Sequence, residues 1–97
     1  MDISRIDGLK EILRIERLGD YPQIEAVLFP AAENAVAEAV GNAWIKENEY
    51  DPEVVQVVCT MVSAWLQKPE MTGEITPGML FLLGQLKARA LGGQETG

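Results

Sequence analysis

The sequence contains no histidine and a single cysteine among its 97 residues. Without histidine it lacks the commonest general base, the usual switch near neutral pH and the commonest metal ligand. A lone Cys59 excludes an intramolecular disulfide and a thiolate zinc cage, and it points to a reducing or indifferent compartment. Positive charge is scarce as well: 8 Lys and Arg stand against 15 Asp and Glu, a formal net charge of −7. Nucleic-acid affinity comes largely from Lys and Arg neutralising phosphates, so this balance argues against a phosphate-gripping module. No run approaches the ~20 apolar residues of a membrane span, because Gln56, Thr60 and Ser63 interrupt the longest one, Val54 to Leu66. The opening Met-Asp-Ile-Ser-Arg-Ile-Asp lacks the basic patch and apolar run of a secretory signal, so a soluble protein is expected. The acids lack calcium-loop spacing, and no glycine-rich turn precedes a helix with a lysine. Ser4, Thr60, Ser63 and Cys59 could serve as nucleophiles, but no base is placed beside any of them. The expectation is a non-enzyme that needs no cofactor.

What is present suffices for a core. Hydrophobic residues make up 47% of the chain against 24% charged, which suits one folded domain over 1–91 with a short tail over 92–97. The charge is unevenly placed. Residues 1–19 and residues 67–97 are each balanced, whereas residues 20–66 carry Lys46 alone against eight acids. The whole net charge therefore lies in the middle of the chain, either as a solvated face or as a surface with a purpose.

Periodicity and punctuation predict an all-α bundle of about four helices, over 4–14, 20–40, 51–67 and 76–91. The first starts after Ser4, with Asp7 three residues on. In the second, Asp20 is the expected cap, and Ile24, Val27, Leu28, Ala31, Ala35 and Ala39 form the expected stripe. Pro30 predicts a kink or a break within it, and Gly41 a stop. Gly41 to Tyr50 has no helical period, which suggests a short extended piece at Ala43-Trp44-Ile45 with Trp44 folded back onto the core. Asp51-Pro52-Glu53 and Thr76-Pro77 are start signals for the last two helices, and Gly92-Gly93 is the expected end.

The third helix is the unusual one. Apolar residues cover most of its circumference, and its polar residues Gln56, Thr60, Ser63 and Gln67 fall within about 60° of arc. From Val54 to Gln67 no residue is charged. A helix facing bulk water usually carries Lys or Glu there, so the stripe is either plain exposed surface or a subunit contact. Cys59 and Trp65 on this helix read as core residues.

Taken in order, these parts resemble the small helical head–tail connector (adaptor) proteins of long-tailed double-stranded DNA phages. The residues that carry the likeness are Ile6-Asp-Gly-Leu-Lys-Glu-Ile-Leu-Arg-Ile15, the acidic link at Asp20, and Ile24 to Val40 ending at Gly41. Tyr50-Asp-Pro-Glu-Val-Val, an apolar helix with Trp65 near its end, and Leu82-Leu-Gly-Gln-Leu-Lys87 complete it. The resemblance implies an α-helical ring, typically twelve-fold, seated beneath the portal protein, with a downstream neck or tail-completion protein on its other side. DNA would pass through without specific binding, and the subunit would be made in the bacterial host cytoplasm and built into the virion. A ring needs two complementary surfaces. Gln56, Thr60, Ser63 and Gln67 are the candidates for one, with Ala31 and Ala35 for the other. Glu33, Glu38, Glu47 and Glu49 are the candidates for a DNA-repelling lumen wall, and Gly92, Gly93, Gln94, Glu95, Thr96 and Gly97 for the portal contact. The competing reading is a monomeric or dimeric regulatory adaptor that binds a partner helix in an apolar groove.

Overall fold

In a computed structural model the backbone is described for residues 1–95 and side chains to residue 92. Thr96 and Gly97 of the expected portal contact, and the side chains of Gly93, Gln94 and Glu95, lie outside the described residues. Five α-helices occur among the described residues, and no strand: α1 Leu9–Leu13, α2 Phe29–Val40, α3 Asn42–Asn48, α4 Pro52–Gln67 and α5 Pro77–Glu95. The fold is all-α, as the periodicity requires.

The start of the chain is more broken than a helix over 4–14. A 3-10 turn, Ile3–Arg5, is capped by Asp2, whose carboxylate accepts from the Ser4 amide at 3.0 Å and the Ser4 hydroxyl at 2.7 Å. Gly8 then takes a left-handed φ of 69° and separates this turn from α1. Helix α1 ends at Arg14, itself left-handed at φ 58°. The Ile15 amide reaches back to the Lys10 carbonyl and the Arg14 amide to that of Glu11. That double bond pattern closes a helix around a position normally held by glycine.

The second helix departs from expectation in its start and its register. Leu18–Asp20 is a 3-10 turn, so the helix opens after Tyr21 rather than from a cap at Asp20. Ile24–Leu28 is a π segment, in which the Phe29 amide reaches the Ile24 carbonyl five residues back. Pro30 has no amide to donate, and the wide turn just before it accommodates the gap. The extra residue in that turn also moves the core face. The buried positions beyond it are Phe29, Ala32 and Val36, one residue on from the Ala31–Ala35 stripe. Val27 is left 50% exposed.

At Gly41, φ 90° and ψ 148° stop α2, but the next residues do not extend. Asn42–Asn48 form a helix in place of the extended piece expected at Ala43–Ile45. Its residues show no apolar period because none of them is fully buried. Trp44 does pack onto the core edge, with the Arg89 guanidinium 5.7 Å from its ring centroid.

Helix α4 is the central element. It buries Val54, Val57, Val58, Cys59, Met61, Val62 and Trp65 against α1, α2, α5 and the π segment. Its start follows the sequence grammar, since the Asp51 carboxylate accepts the Glu53 amide at 3.0 Å. Trp65 satisfies its indole N–H on the Glu74 carbonyl at 3.1 Å, across the turn that leads to α5. Helix α5 returns antiparallel to α4 and is capped by the Thr76 hydroxyl. It runs on to Glu95 instead of stopping at Leu91. A glycine costs only about 1 kcal/mol inside a helix, and Gly92 has none of the left-handed backbone that would end one.

Candidate functional site

The polar stripe of α4 stays at the surface of the folded chain. Gln56, Thr60 and Gln67 are exposed and Ser63 is half-buried. The Thr60 hydroxyl donates to the Gln56 carbonyl at 2.8 Å, so its polar group is satisfied along the helix and needs no neighbour. The stripe is therefore a neutral surface whose opposite side builds the core. At its C-terminal end, Gln67 and Lys68 join Ala64, Trp65, Met71, Thr76 and Met79 around a half-open cleft of about 260 Å³.

Ala31 and Ala35 do not lie opposite this stripe as a second free face. Both are half-buried and pack against the protein's own core, rotated off its centre by the π segment. An outer surface of a different kind lies on α5. Leu80 is 65% exposed, Phe81 66% and Leu91 49%. At 100° per residue these three fall with Pro77, Gly84 and Ala88 within about 100° of arc, opposite the buried Met79, Leu83, Leu86 and Ala90. Sequence reasoning missed this face because a helix apolar on both sides shows no one-sided period. The legible signal was the absence of charge from Ile75 to Leu86.

Only two of the four candidate lumen acids come together. Glu33 on α2 and Glu49 just after α3 converge on the Met1 ammonium, at 3.0 Å and 3.4 Å. Burial pulls the ammonium's pKa down, but the hydrogen bond and charge of Glu33, with Glu49 behind it, outweigh that and leave it raised. The Asp2 amide also donates to the Tyr50 hydroxyl at 2.8 Å, and Arg5 stacks 4.2 Å from that ring's centroid. Part of the acidic middle is thus held by the first five residues. Glu38 and Glu47 are exposed and separate from this cluster.

A second polar tie joins α4 to α5. Arg89 grips Asp51 with both terminal nitrogens, at 2.7 and 2.8 Å, and reaches Glu53 at 3.2 Å. Those guanidinium bonds, helped by the Glu53 amide and opposed by burial, hold the Asp51 carboxyl down at about 2. Burial pushes the Cys59 thiol up to about 11, which suits a core residue.

Among the described residues no group of three or more His, Cys, Asp or Glu could hold a metal ion, and no helix is long and apolar enough to cross a membrane. An open groove of about 760 Å³ lies between α2 and α3, lined by Pro30, Glu33, Asn34, Ala37, Ile45 and Lys46. What the geometry offers is surfaces for contact, one neutral and polar and one neutral and apolar, with Glu38 and Glu47 exposed elsewhere. Comparison with family models, with curated proteins and with solved structures gives no match.

Proposed function

We propose that the chain is a structural subunit of a phage head–tail connector, assembling with copies of itself into a ring beneath the portal and extending the DNA channel toward the neck or tail. The observation that carries this reading is the free surface of α4. A helix without charge from Val54 to Gln67 completes its core packing within one chain and still keeps a neutral stripe outside. The order of the sequence segments, which resembles that of the connector family, is the second support.

Within this reading, Glu38 and Glu47 are the stronger candidates for a lumen wall, because Glu33 and Glu49 are engaged with the N-terminal ammonium. An acidic wall repels DNA phosphates at short range and lets the duplex slide. Charge reversal of Glu38 and Glu47 to Lys is expected to slow DNA ejection; unchanged ejection would remove the lumen assignment. The segment Gly92 to Gly97 is proposed as the portal contact, and truncation after Leu91 is expected to lower connector occupancy on heads.

Particle images of the purified protein mixed with portal decide the main reading. A ring on the portal supports the connector. A stable monomer that never joins a portal supports a regulatory adaptor instead.

A further inference from the structure

We infer that the outer face of α5 in one copy packs antiparallel along the polar stripe of α4 in the next copy, with Phe81 seated in the neighbour's cleft beside Gln67 and Trp65. This rests on the ring reading and supplies the second surface that Ala31 and Ala35 do not provide.

Four observations meet here. First, a chain of net charge −7 repels its own copies, so self-association is favoured where the surface carries no charge. The α4 stripe and the α5 outer face provide it: α4 has no charge from Val54 to Gln67, and α5 has none from Pro77 to Leu86.

Second, the two surfaces match in length. Gln56 to Gln67 and Leu80 to Leu91 are each twelve residues, eleven steps or roughly 16 Å at 1.5 Å per residue.

Third, a knob faces a hole. Phe81 projects from the first turns of α5, and the cleft of about 260 Å³ closes the C-terminal end of α4. An apolar cavity of roughly 150 Å³ holds a benzene ring, so the cleft, open to solvent and bordered by Lys68, has volume enough for a phenyl side chain. Seating Phe81 there sets the direction: α5 runs back along the neighbour's α4, bringing Lys87 toward the end that carries Asp51 and Glu53.

Fourth, Leu80, Phe81 and Leu91 stand 65%, 66% and 49% exposed along one side of α5, and apolar side chains gathered on one exposed face often mark an interaction site. The polar stripe supplies complementary surface on the other side.

The contact repeats between copies the antiparallel α4–α5 relation that exists within each copy. Knob and hole are different surfaces, so the contact is heterologous and propagates until it closes.

The test uses the full chain with single cysteines. Cys59 is 1% exposed, so an introduced surface thiol is the reactive one. Thr60 and Ala88 are both exposed and come opposite each other in this arrangement. A mixture of T60C and A88C treated with a short bis-maleimide at high micromolar protein is expected to give a cross-linked dimer, while either variant alone gives about tenfold less. The double variant is expected to give a ladder of higher species. Adding F81D to either partner is expected to cut the mixed yield about tenfold while the thermal midpoint stays in place.

Rings seen on portal without the T60C–A88C product overturn this contact and leave the ring standing. Cross-linking of A88C to itself at the same level, ending at dimers, overturns both. A chain that stays monomeric and unlinked overturns the contact, and the portal images then decide the ring separately.

Discussion

Helices α4 and α5 are adjacent and antiparallel, and each has a long uncharged stretch, Val54 to Gln67 and Pro77 to Leu86, yet they expose opposite things. Helix α4 turns seven residues into the core and shows water a row of Gln, Thr and Ser. Helix α5 contributes Met79, Leu83, Leu86 and Ala90 to the core and shows water Leu80, Phe81 and Leu91. A polar stripe without charge is cheap to keep wet and cheap to cover, because no ionic group has to be desolvated. An apolar face is costly to keep wet, and covering it recovers about 25 cal/mol per Å². The pair is therefore asymmetric: α4 is indifferent to a partner and α5 gains from one.

The sharpest break in the comparison is to remove one large side chain from each helix. Trp65→Ala empties a site that is 1% exposed and orphans the Glu74 carbonyl, and it is expected to cost about 3–5 kcal/mol in urea denaturation. That is a large part of the 5–15 kcal/mol typical of a domain. The matching change on α5, Phe81→Ala, is expected to move the same midpoint by less than about 0.5 kcal/mol, because its ring stands 66% exposed. A large loss at Phe81 would mean that the ring packs inside its own chain.

Between these extremes lies the polar tie at the far end of the two helices. Asp51→Ala removes the α4 cap and leaves Arg89 with Glu53 alone as its acidic partner, with an expected loss of about 1 kcal/mol from the cap. Asp51 also gives the fold an acid limit. Its carboxyl is lowered in the native state, so its contribution is complete above the ordinary carboxylate pKa near 4 and fades as pH falls toward about 2. Thermal melts of the wild type and of Asp51→Asn across that range are expected to converge at the acid end.

Smaller effects are expected far from both helices. Arg14→Gly should stabilise the chain by up to about 1 kcal/mol, since glycine adopts the left-handed backbone freely. The Met1 ammonium works in the opposite pH direction to Asp51. Its native pKa is raised above 8.0, so its stabilisation is whole below pH 8 and is lost as pH rises through the native value. Glu33→Gln is expected to flatten that alkaline decline in melts taken across pH 7 to 10.

The contrast between α4 and α5 also shows what sequence could and could not reveal. Asp51-Pro52-Glu53 and Thr76-Pro77 are local signals, and both start a helix where the grammar places it. The buried face of α4 was legible for the same reason, since one chain supplies its whole partner surface. The register of α2 was not legible, because the π segment arises from Pro30 meeting tertiary packing and shifts every later core position by one. Helix α3 was hidden because a helix that buries no residue completely leaves no period. The grouping of Glu33 with Glu49 could not be read either, because it joins residues sixteen apart through an ammonium at the far end of the sequence.

The position of Cys59 turns the molecule into its own stopwatch. Its thiol lies at the centre of α4's buried side, and its high pKa leaves little thiolate there at neutral pH. A thiol reagent can react only when α4 lifts from its neighbours. The labelling rate of the unmodified protein then counts how often the core opens, and that rate divided by the rate for an unfolded chain gives the opening free energy directly. A subunit locked between copies should tick more slowly than a free one.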